Sequence, residues 1–187
     1  MLHKYNIIYA DPPWEYDHDL ENLSDIGGGN YPSMPLGEIK SLPIKYIANK
    51  NCVLFLWVTM PKLREGLEVM EAWGFRYLTC AFTWVKTNSN NMGIYSGLGH
   101  WTKPNAELCL LGEIGEMPVY NNCVPQVIFS PMLGHSRKPS EVKDRIVALV
   151  GNLPRIELFA RHKVEGWDTW GNEVPNDIDL MEIKELI

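Results

Sequence analysis

The sequence NIIYADPPW, residues 6–14, sets the fold expected for this chain. Residues 7–10 form a short apolar run that ends at a turn, a pattern typical of a buried β-strand. Asp11 then stands at the carboxyl end of that strand, the edge where ligands bind in open α/β sheets. The two prolines that follow stiffen the exit. A carboxylate, a rigid carbonyl and the Trp14 ring suit a planar group with an NH2, such as a nucleobase. An ordinary strand exit with Trp14 over the core fits the same residues.

Apolar runs and helix-like spacings alternate along the rest of the chain. Further strands are predicted at residues 52–58, 75–85, 107–112, 126–130 and 155–160. Helices are predicted at residues 36–49, interrupted by Pro43, from Met60 to Gly74, and from Pro139 to Gly151. Residues 177–187 fit a short amphipathic helix or a frayed tail. With one hairpin in the middle, this order predicts an α/β sandwich around a mostly parallel sheet.

Length and composition limit the class of protein. The 187 residues suffice for one domain with a substantial core. No apolar run has the length of a membrane span, and the amino-terminal residues lack the apolar core of a signal peptide, so we expect a cytoplasmic location. The four cysteines are scattered without a C-x-x-C pair, so we predict no metal site.

The net charge of −6 is concentrated near the carboxyl terminus. Residues 165–187 hold seven acidic side chains and one lysine, so residues 1–164 are neutral as a whole. A neutral body offers few phosphate contacts, and we expect it to bind a nucleic acid with modest, salt-sensitive affinity.

Two long polar segments have the composition of substrate-binding loops. Residues 15–43 are typical of a lid, and Tyr31 within them can return an aromatic ring to the site. Bases interleaved with an aromatic ring in residues 86–105 suit a single strand or a flipped base, with a solvated loop as the alternative. The candidates there are Lys86, His100, Trp101 and Lys103.

Lys138 directly precedes a predicted helix start at Pro139 and Ser140. A cation beside a helix N-terminus forms an anion site that a carboxylate or phosphate would fit. A capping serine beside a solvated lysine explains the same residues.

Seven blocks of sequence, taken in order, resemble the MT-A family of S-adenosylmethionine-dependent adenine N6-methyltransferases. They are ADPPW (10–14), LFLWV (54–58), WVKTN (84–88), GHW (99–101), RKP (137–139), ELFAR (157–161) and GNE (171–173). The resemblance covers residues 5–174, a single methyltransferase domain, and leaves an acidic tail at 175–187. It implies a Rossmann-like fold with permuted motifs, the catalytic strand first and a cofactor-binding strand last. No G-x-G-x-x-G follows any predicted strand.

In the acceptor half of the site, the resemblance implies that the Asp11 carboxylate and the Pro12 carbonyl accept the two N–H groups of adenine. Pro13 completes the same motif. Trp14 would stack on the base, with Tyr31 helping to hold it. Catalysis would then rest mainly on positioning and electrostatics.

In the cofactor half, Lys138 would pair with the methionyl carboxylate of S-adenosylmethionine, and Asp11 would contact its ammonium group. The ribose hydroxyls and nearby polar atoms would be held by Arg161, His162, Asn172 and Glu173. Glu173 departs from the eukaryotic branch of the family, which has an amide there. The turn after His162 is shorter than in that branch, so the individual roles in it stay open.

DNA is the favoured substrate for so small a chain, and RNA is the first alternative. Cytosine N4 or a glutamine amide is less favoured, because the related tetrapeptides there usually end in tyrosine. A non-catalytic nucleic-acid-binding subunit is disfavoured by the intact Asp11 motif, Lys138 and Asn172. Flipping a base out of a duplex costs a few kcal/mol, so we expect a homodimer, a partner subunit or a single-stranded substrate.

Overall fold

A computed structural model describes residues 4–16, 32–89, 93–95, 97–99, 101–132 and 137–186 of the chain. These residues form seven strands: β1 Tyr5–Ala10, β2 Ala48–Val58, β3 Arg76–Thr87, β4 Ala106–Ile114, β5 Val127–Pro131, β6 Arg155–Leu158 and β7 Asp168–Trp170. They also form five α-helices: α1 Leu36–Ser41, α2 Ile44–Ile47, α3 Leu63–Ala72, α4 Glu141–Val150 and α5 Leu180–Glu185. A 3-10 turn, Met60–Lys62, leads into α3.

The seven strands form one sheet in the order β5-β3-β4-β2-β1-β6-β7. The pairs β1–β2, β1–β6, β6–β7 and β3–β5 are parallel. Strand β4 is antiparallel to both β2 and β3, and β3 and β4, which follow one another in the chain, form a hairpin in its middle. The α/β class and the mostly parallel sheet are therefore confirmed. Within the described ranges, no helix has the length and apolar character needed to cross a membrane.

Two hydrophobic layers cover the two faces of the sheet. Strand β2 serves both, because its successive side chains point to opposite faces. Leu54 and Leu56 belong to the layer that contains α1, α2, α3 and α5, whereas Phe55 and Trp57 belong to the layer that contains α4. This explains why the run at residues 52–58 is apolar throughout although one neighbour of β2 is antiparallel.

The carboxyl-terminal segment is packed against the domain rather than frayed. Helix α5 buries Leu180 and Ile183 in the same layer as α1 to α3. Asp179 caps this helix by accepting hydrogen bonds from the backbone N–H groups of Met181 and Glu182. Glu182 and Glu185 lie on the exposed side of this helix, while its apolar side packs on the core.

The register of the strands places the ends of β1, β2 and β6 at one edge. Ala10 pairs with Leu56 on one side and with Leu158 on the other. Asp11 therefore leaves the sheet between Trp57 and Phe159. This carboxyl-end edge is where the candidate site is built.

Candidate active site

Two adjoining cavities open at the carboxyl-end edge of the sheet. The larger cavity has a volume of about 820 Å³ and the smaller one about 200 Å³. Asp11, Lys138 and Arg161 line both. Two ligands could therefore bind on either side of one charged wall, and the larger cavity has the size of a typical small-molecule site.

Two residues of this wall, Asp11 and Lys138, belong to a chain of four alternating charges that continues through Glu107 to Lys86. The Lys138 Nζ lies 2.6 Å from Asp11 Oδ2 and 3.3 Å from Glu107 Oε2. The Lys86 Nζ lies 2.6 Å from the other Glu107 oxygen. The side chains of Lys138 and Glu107 are 10% and 12% exposed. Burial of these groups is tolerable because each charge lies beside one of opposite sign.

The burial and the neighbouring charges shift the pKa of each carboxyl differently. Burial raises the pKa of Asp11, and the adjacent Lys138 ammonium opposes that effect. Burial would also raise the pKa of Glu107, but Lys138 and Lys86 together hold it below its usual value. Burial disfavours the Lys138 ammonium, yet Asp11 and Glu107 outweigh this and raise the lysine pKa. Lys138 is therefore a cation at neutral pH, and Asp11 accepts hydrogen bonds at pH values above its own raised pKa.

Strand direction explains why Glu107 reaches this edge. Because β4 is antiparallel to β2, its first residues lie beside the last residues of β2, with Leu108 paired to Val58. Glu107 was not predicted as a site residue. An acidic residue at the start of an apolar strand was the available indication, but the sequence does not reveal that this strand lies beside β2.

The smaller cavity has aromatic walls formed by Trp14, Tyr16 and Trp57. Trp14 is 9% exposed, and its indole N–H donates to the Trp57 carbonyl at 3.1 Å. The Tyr16 hydroxyl lies 2.7 Å from Thr59 Oγ1. A slot of this kind, with the Asp11 carboxylate on its wall, suits a flat ring that carries a hydrogen-bond donor.

The Pro12 carbonyl can still accept a hydrogen bond from a ligand. The Pro12 carbonyl accepts the backbone N–H of Trp14 at 2.9 Å, and a carbonyl oxygen has a second lone pair. The Pro13 carbonyl accepts the N–H of Met34 at 2.8 Å, which ties the chain after residue 31 to the site.

The larger cavity collects most of the residues predicted for the cofactor. Arg161, His162 and Glu173 line it together with Asp11 and Lys138. The Arg161 Nε lies 3.8 Å from Glu173 Oε1. S-adenosylmethionine requires a cation to bind its carboxylate and acceptors to bind its hydroxyl and ammonium groups. These residues supply both and therefore fit that cofactor.

Asn172 has a different position. It lines a third cavity of about 90 Å³ together with Pro13 and Phe159. Phe159, the first residue after β6, also lines the larger cavity and has a φ of 60°, a left-handed conformation that is unusual for a bulky side chain. This turn directs the chain from β6 into the segment that carries Arg161.

The residues predicted to contact the substrate are only partly brought to the cavities. Lys86 joins the chain of charges through Glu107 but lines none of the three cavities, and its Nζ lies 5.2 Å from the centre of the Trp84 ring. Trp101 is 94% exposed and Lys103 is exposed, and neither lines the three cavities. Tyr31 and His100 lie outside the described residues.

Known proteins are similar in sequence to this chain over almost its whole length. A model of the MT-A70 family matches residues 5–173. The type II methyltransferase M.MunI of Mycoplasma sp is 33% identical over 93% of this chain and 79% of its own length. A putative N(6)-adenosine-methyltransferase MT-A70-like protein of Medicago truncatula is 33% identical, and the human N(6)-adenosine-methyltransferase catalytic subunit METTL3 is 32% identical. This chain spans 27% and 29% of those two proteins.

These matches and the sheet confirm three predictions made from the sequence: the family, the Rossmann-like methyltransferase fold, and an S-adenosylmethionine-dependent N6-adenine methyltransferase activity. The blocks that carried the resemblance end at residue 173, where the family match also ends. The chain therefore belongs to the MT-A70 family.

Proposed function

We propose that this chain transfers the methyl group of S-adenosylmethionine to the exocyclic N6 of adenine in DNA. The observation that carries the proposal is the position of Asp11, whose carboxylate forms part of the wall between the two cavities. A donor in the larger cavity and a base in the smaller one would meet at this residue. The similarity to a type II methyltransferase over 79% of its length favours DNA.

The smaller cavity supplies what the amine of adenine requires. The lone pair of this amine is delocalised into the ring, so the amine is a poor nucleophile. Hydrogen bonds accepted from both of its N–H groups move the nitrogen toward a tetrahedral geometry and free the lone pair. We assign these acceptors to Asp11 and to the Pro12 carbonyl, and we assign the walls beside the base to Trp14 and Tyr16.

Lys138 already occupies one oxygen of the Asp11 carboxylate. Its Nζ binds Oδ2, which leaves Oδ1 as the oxygen we assign to the amine. The lysine opposes the effect of burial on the Asp11 pKa, and its side chain also lines the larger cavity. The amine loses a proton after methylation, and because its methylated form is acidic, Asp11 is not required as a strong base.

The larger cavity supplies the contacts for the donor. When bound there, S-adenosylmethionine supplies an electrophilic methyl group on a sulfonium centre. Lys138 would pair with its carboxylate, and Arg161 and Glu173 would hold its hydroxyl and polar groups. Because these residues come from three separate segments of the chain, their contacts would fix the donor relative to Asp11. Such positioning supplies much of the rate enhancement.

The proposal is tested by incubating the protein with labelled S-adenosylmethionine and separate DNA and RNA pools, followed by mass spectrometry of the nucleosides. We expect N6-methyldeoxyadenosine from DNA. The matched control is Asp11→Asn, which keeps the side-chain shape but replaces one oxygen with an NH2 donor and should lose activity. Label confined to RNA, to cytosine or to protein would overturn the assignment of substrate, and an equally active Asp11→Asn would overturn the assignment of mechanism.

RNA is the second candidate substrate, because two of the relatives above are named N(6)-adenosine-methyltransferases. We further propose that the chain acts as a homodimer, with a partner subunit, or on single-stranded nucleic acid, since residues 1–164 carry no net charge with which to hold a flipped duplex. Light scattering that shows a monomer with efficient activity on duplex DNA would contradict this.

A further inference from the structure

Two loops border the larger cavity, and both contain candidate cofactor residues. The first loop, residues 159–167, follows β6 and carries Arg161. The second loop, residues 171–177, follows β7 and carries Glu173. Because no regular secondary structure holds these loops, other contacts must fix their positions.

Asp177, at the end of the second loop, joins three parts of the chain. Its Oδ2 accepts the backbone N–H of Thr169 in β7 at 2.9 Å and lies 3.1 Å from the Thr169 hydroxyl. Its two carboxylate oxygens lie 2.7 and 2.8 Å from the Nζ of Lys163 in the first loop. Its own N–H donates to the Thr169 carbonyl at 2.9 Å. One side chain thus links both loops to the edge of the sheet.

Other contacts bring the two loops together near their first residues, Ala160 and Gly171. The Asn176 side chain accepts the backbone N–H of Gly171 at 2.8 Å, which closes the second loop. A Cβ built on Gly171 would come within 2.2 Å of the Ala160 carbonyl oxygen, so the backbones of the two loops are in direct contact. The Lys163 ammonium and the Thr169 N–H also lower the pKa of Asp177, as expected for a carboxylate held by several donors.

We propose that Asp177 is a positioning residue for the methyl donor: it holds the two loops so that Arg161 and Glu173 face the larger cavity. Asp177 does not itself line that cavity. It acts through Lys163 and Thr169, which fix the geometry of groups that would touch the donor. This inference rests on the proposed function, because it assigns the donor to the larger cavity.

Calorimetric binding of S-adenosylmethionine and of its demethylated product tests the proposal without requiring turnover. We expect Asp177→Ala to weaken binding of both by about tenfold or more, because misplaced contacts lose much of their value. The matched control is Asp179→Ala, which removes a carboxylate from the same segment but disturbs the cap of α5 alone. It should lower thermal stability and leave binding unchanged.

Asp177→Asn keeps an oxygen for the Thr169 N–H and loses the charge that pairs with Lys163. It should bind the donor with intermediate affinity, and it provides a readout if Asp177→Ala does not fold. In activity assays the KM for the donor should rise more than kcat falls.

Donor affinities of the folded Asp177 variants that equal those of Asp179→Ala would overturn the positioning role. A wild-type protein that binds no donor would instead overturn the proposed function and this inference together. If the wild type binds the donor and the variants bind it equally well, only the positioning role of Asp177 fails and the proposed function stands.

Discussion

Lys138 Nζ and Asp11 Oδ2 lie 2.6 Å apart, although 127 positions separate the two residues in the sequence. This contact joins the two halves of the candidate site, because Asp11 follows the first strand and Lys138 precedes α4. Glu107 lies against the same ammonium from β4. The protonation state of Asp11 therefore depends on two charges, Lys138 and Glu107, that come from other parts of the chain.

Opposite shifts in pH dependence should follow when these charges are removed. Methyl transfer requires ionised Asp11, so activity falls as the pH drops through the Asp11 pKa, which lies above its usual value. Glu107→Gln removes a negative charge that raises this pKa, and the acidic limb of the kcat profile should move to lower pH. Lys138→Met removes the opposing cation and should move the limb to higher pH.

Lys138→Met should also weaken donor binding by about tenfold to a hundredfold, as expected for the loss of a hydrogen bond between charged groups. Profiles of kcat against pH at saturating donor separate the two effects. Shifts of the same sign in both variants would show that Asp11 does not control the acidic limb.

Trp14 contributes to stability as well as to the wall of the smaller cavity. Trp14→Phe removes the hydrogen bond to the Trp57 carbonyl within the core. Unfolding in urea should show a loss of about 1–3 kcal/mol in the free energy of unfolding. The control is Trp101→Phe, since Trp101 is 94% exposed and its substitution should change stability by less than about 0.5 kcal/mol. Equal losses in the two variants would contradict this assignment.

Two glycine substitutions should have opposite effects on stability. Gly171→Ala places a Cβ 2.2 Å from a backbone oxygen of Ala160, which cannot move as a side chain can. We expect a loss of about 1–3 kcal/mol and weaker donor binding. In Gly37→Ala the new Cβ meets no atom within 4 Å, and Gly37 lies in α1, so a gain of about 0.5–1 kcal/mol is expected. Thermal melting of both variants provides the measurement, and a stabilised Gly171→Ala would refute the close contact.

Arg145 binds two backbone carbonyls beside an edge strand of the sheet. Strand β5 is an edge strand, and the Arg145 Nη1 binds the carbonyls of Pro125 and Val127 at 2.7 and 3.0 Å. Arg145→Ala frees these carbonyls beside the exposed Phe129 side chain, so we expect self-association that increases with protein concentration. Dynamic light scattering measures this, and Arg64→Ala, at an exposed position on α3, is the control. A monodisperse Arg145→Ala would show that the edge needs no such cover.

Several features of the fold were predictable from short stretches of sequence. The helices predicted to stop at Gly74 and Gly151 do so, and both glycines have positive φ, at 86° and 91°. Six of the strands were predicted to within a few residues, because apolar runs bounded by turns carry local information. Strand β7 was not predicted, since its three residues, Asp168–Trp170, are too short for any periodicity to show.

The candidate site likewise has features that the sequence predicted and features that only the tertiary structure showed. The sequence by itself determined Asp11 at a strand exit, the family and the pool of candidate residues, because these follow from contiguous blocks. The tertiary structure decided that Lys138 binds Asp11, that Glu107 completes the charged wall and that Asn172 lines a separate cavity. It also decided that the carboxyl-terminal segment is part of the domain. The physical reason is that these contacts depend on strand order and direction, which bring together residues far apart in the chain, whereas local sequence specifies only the conformation of neighbours.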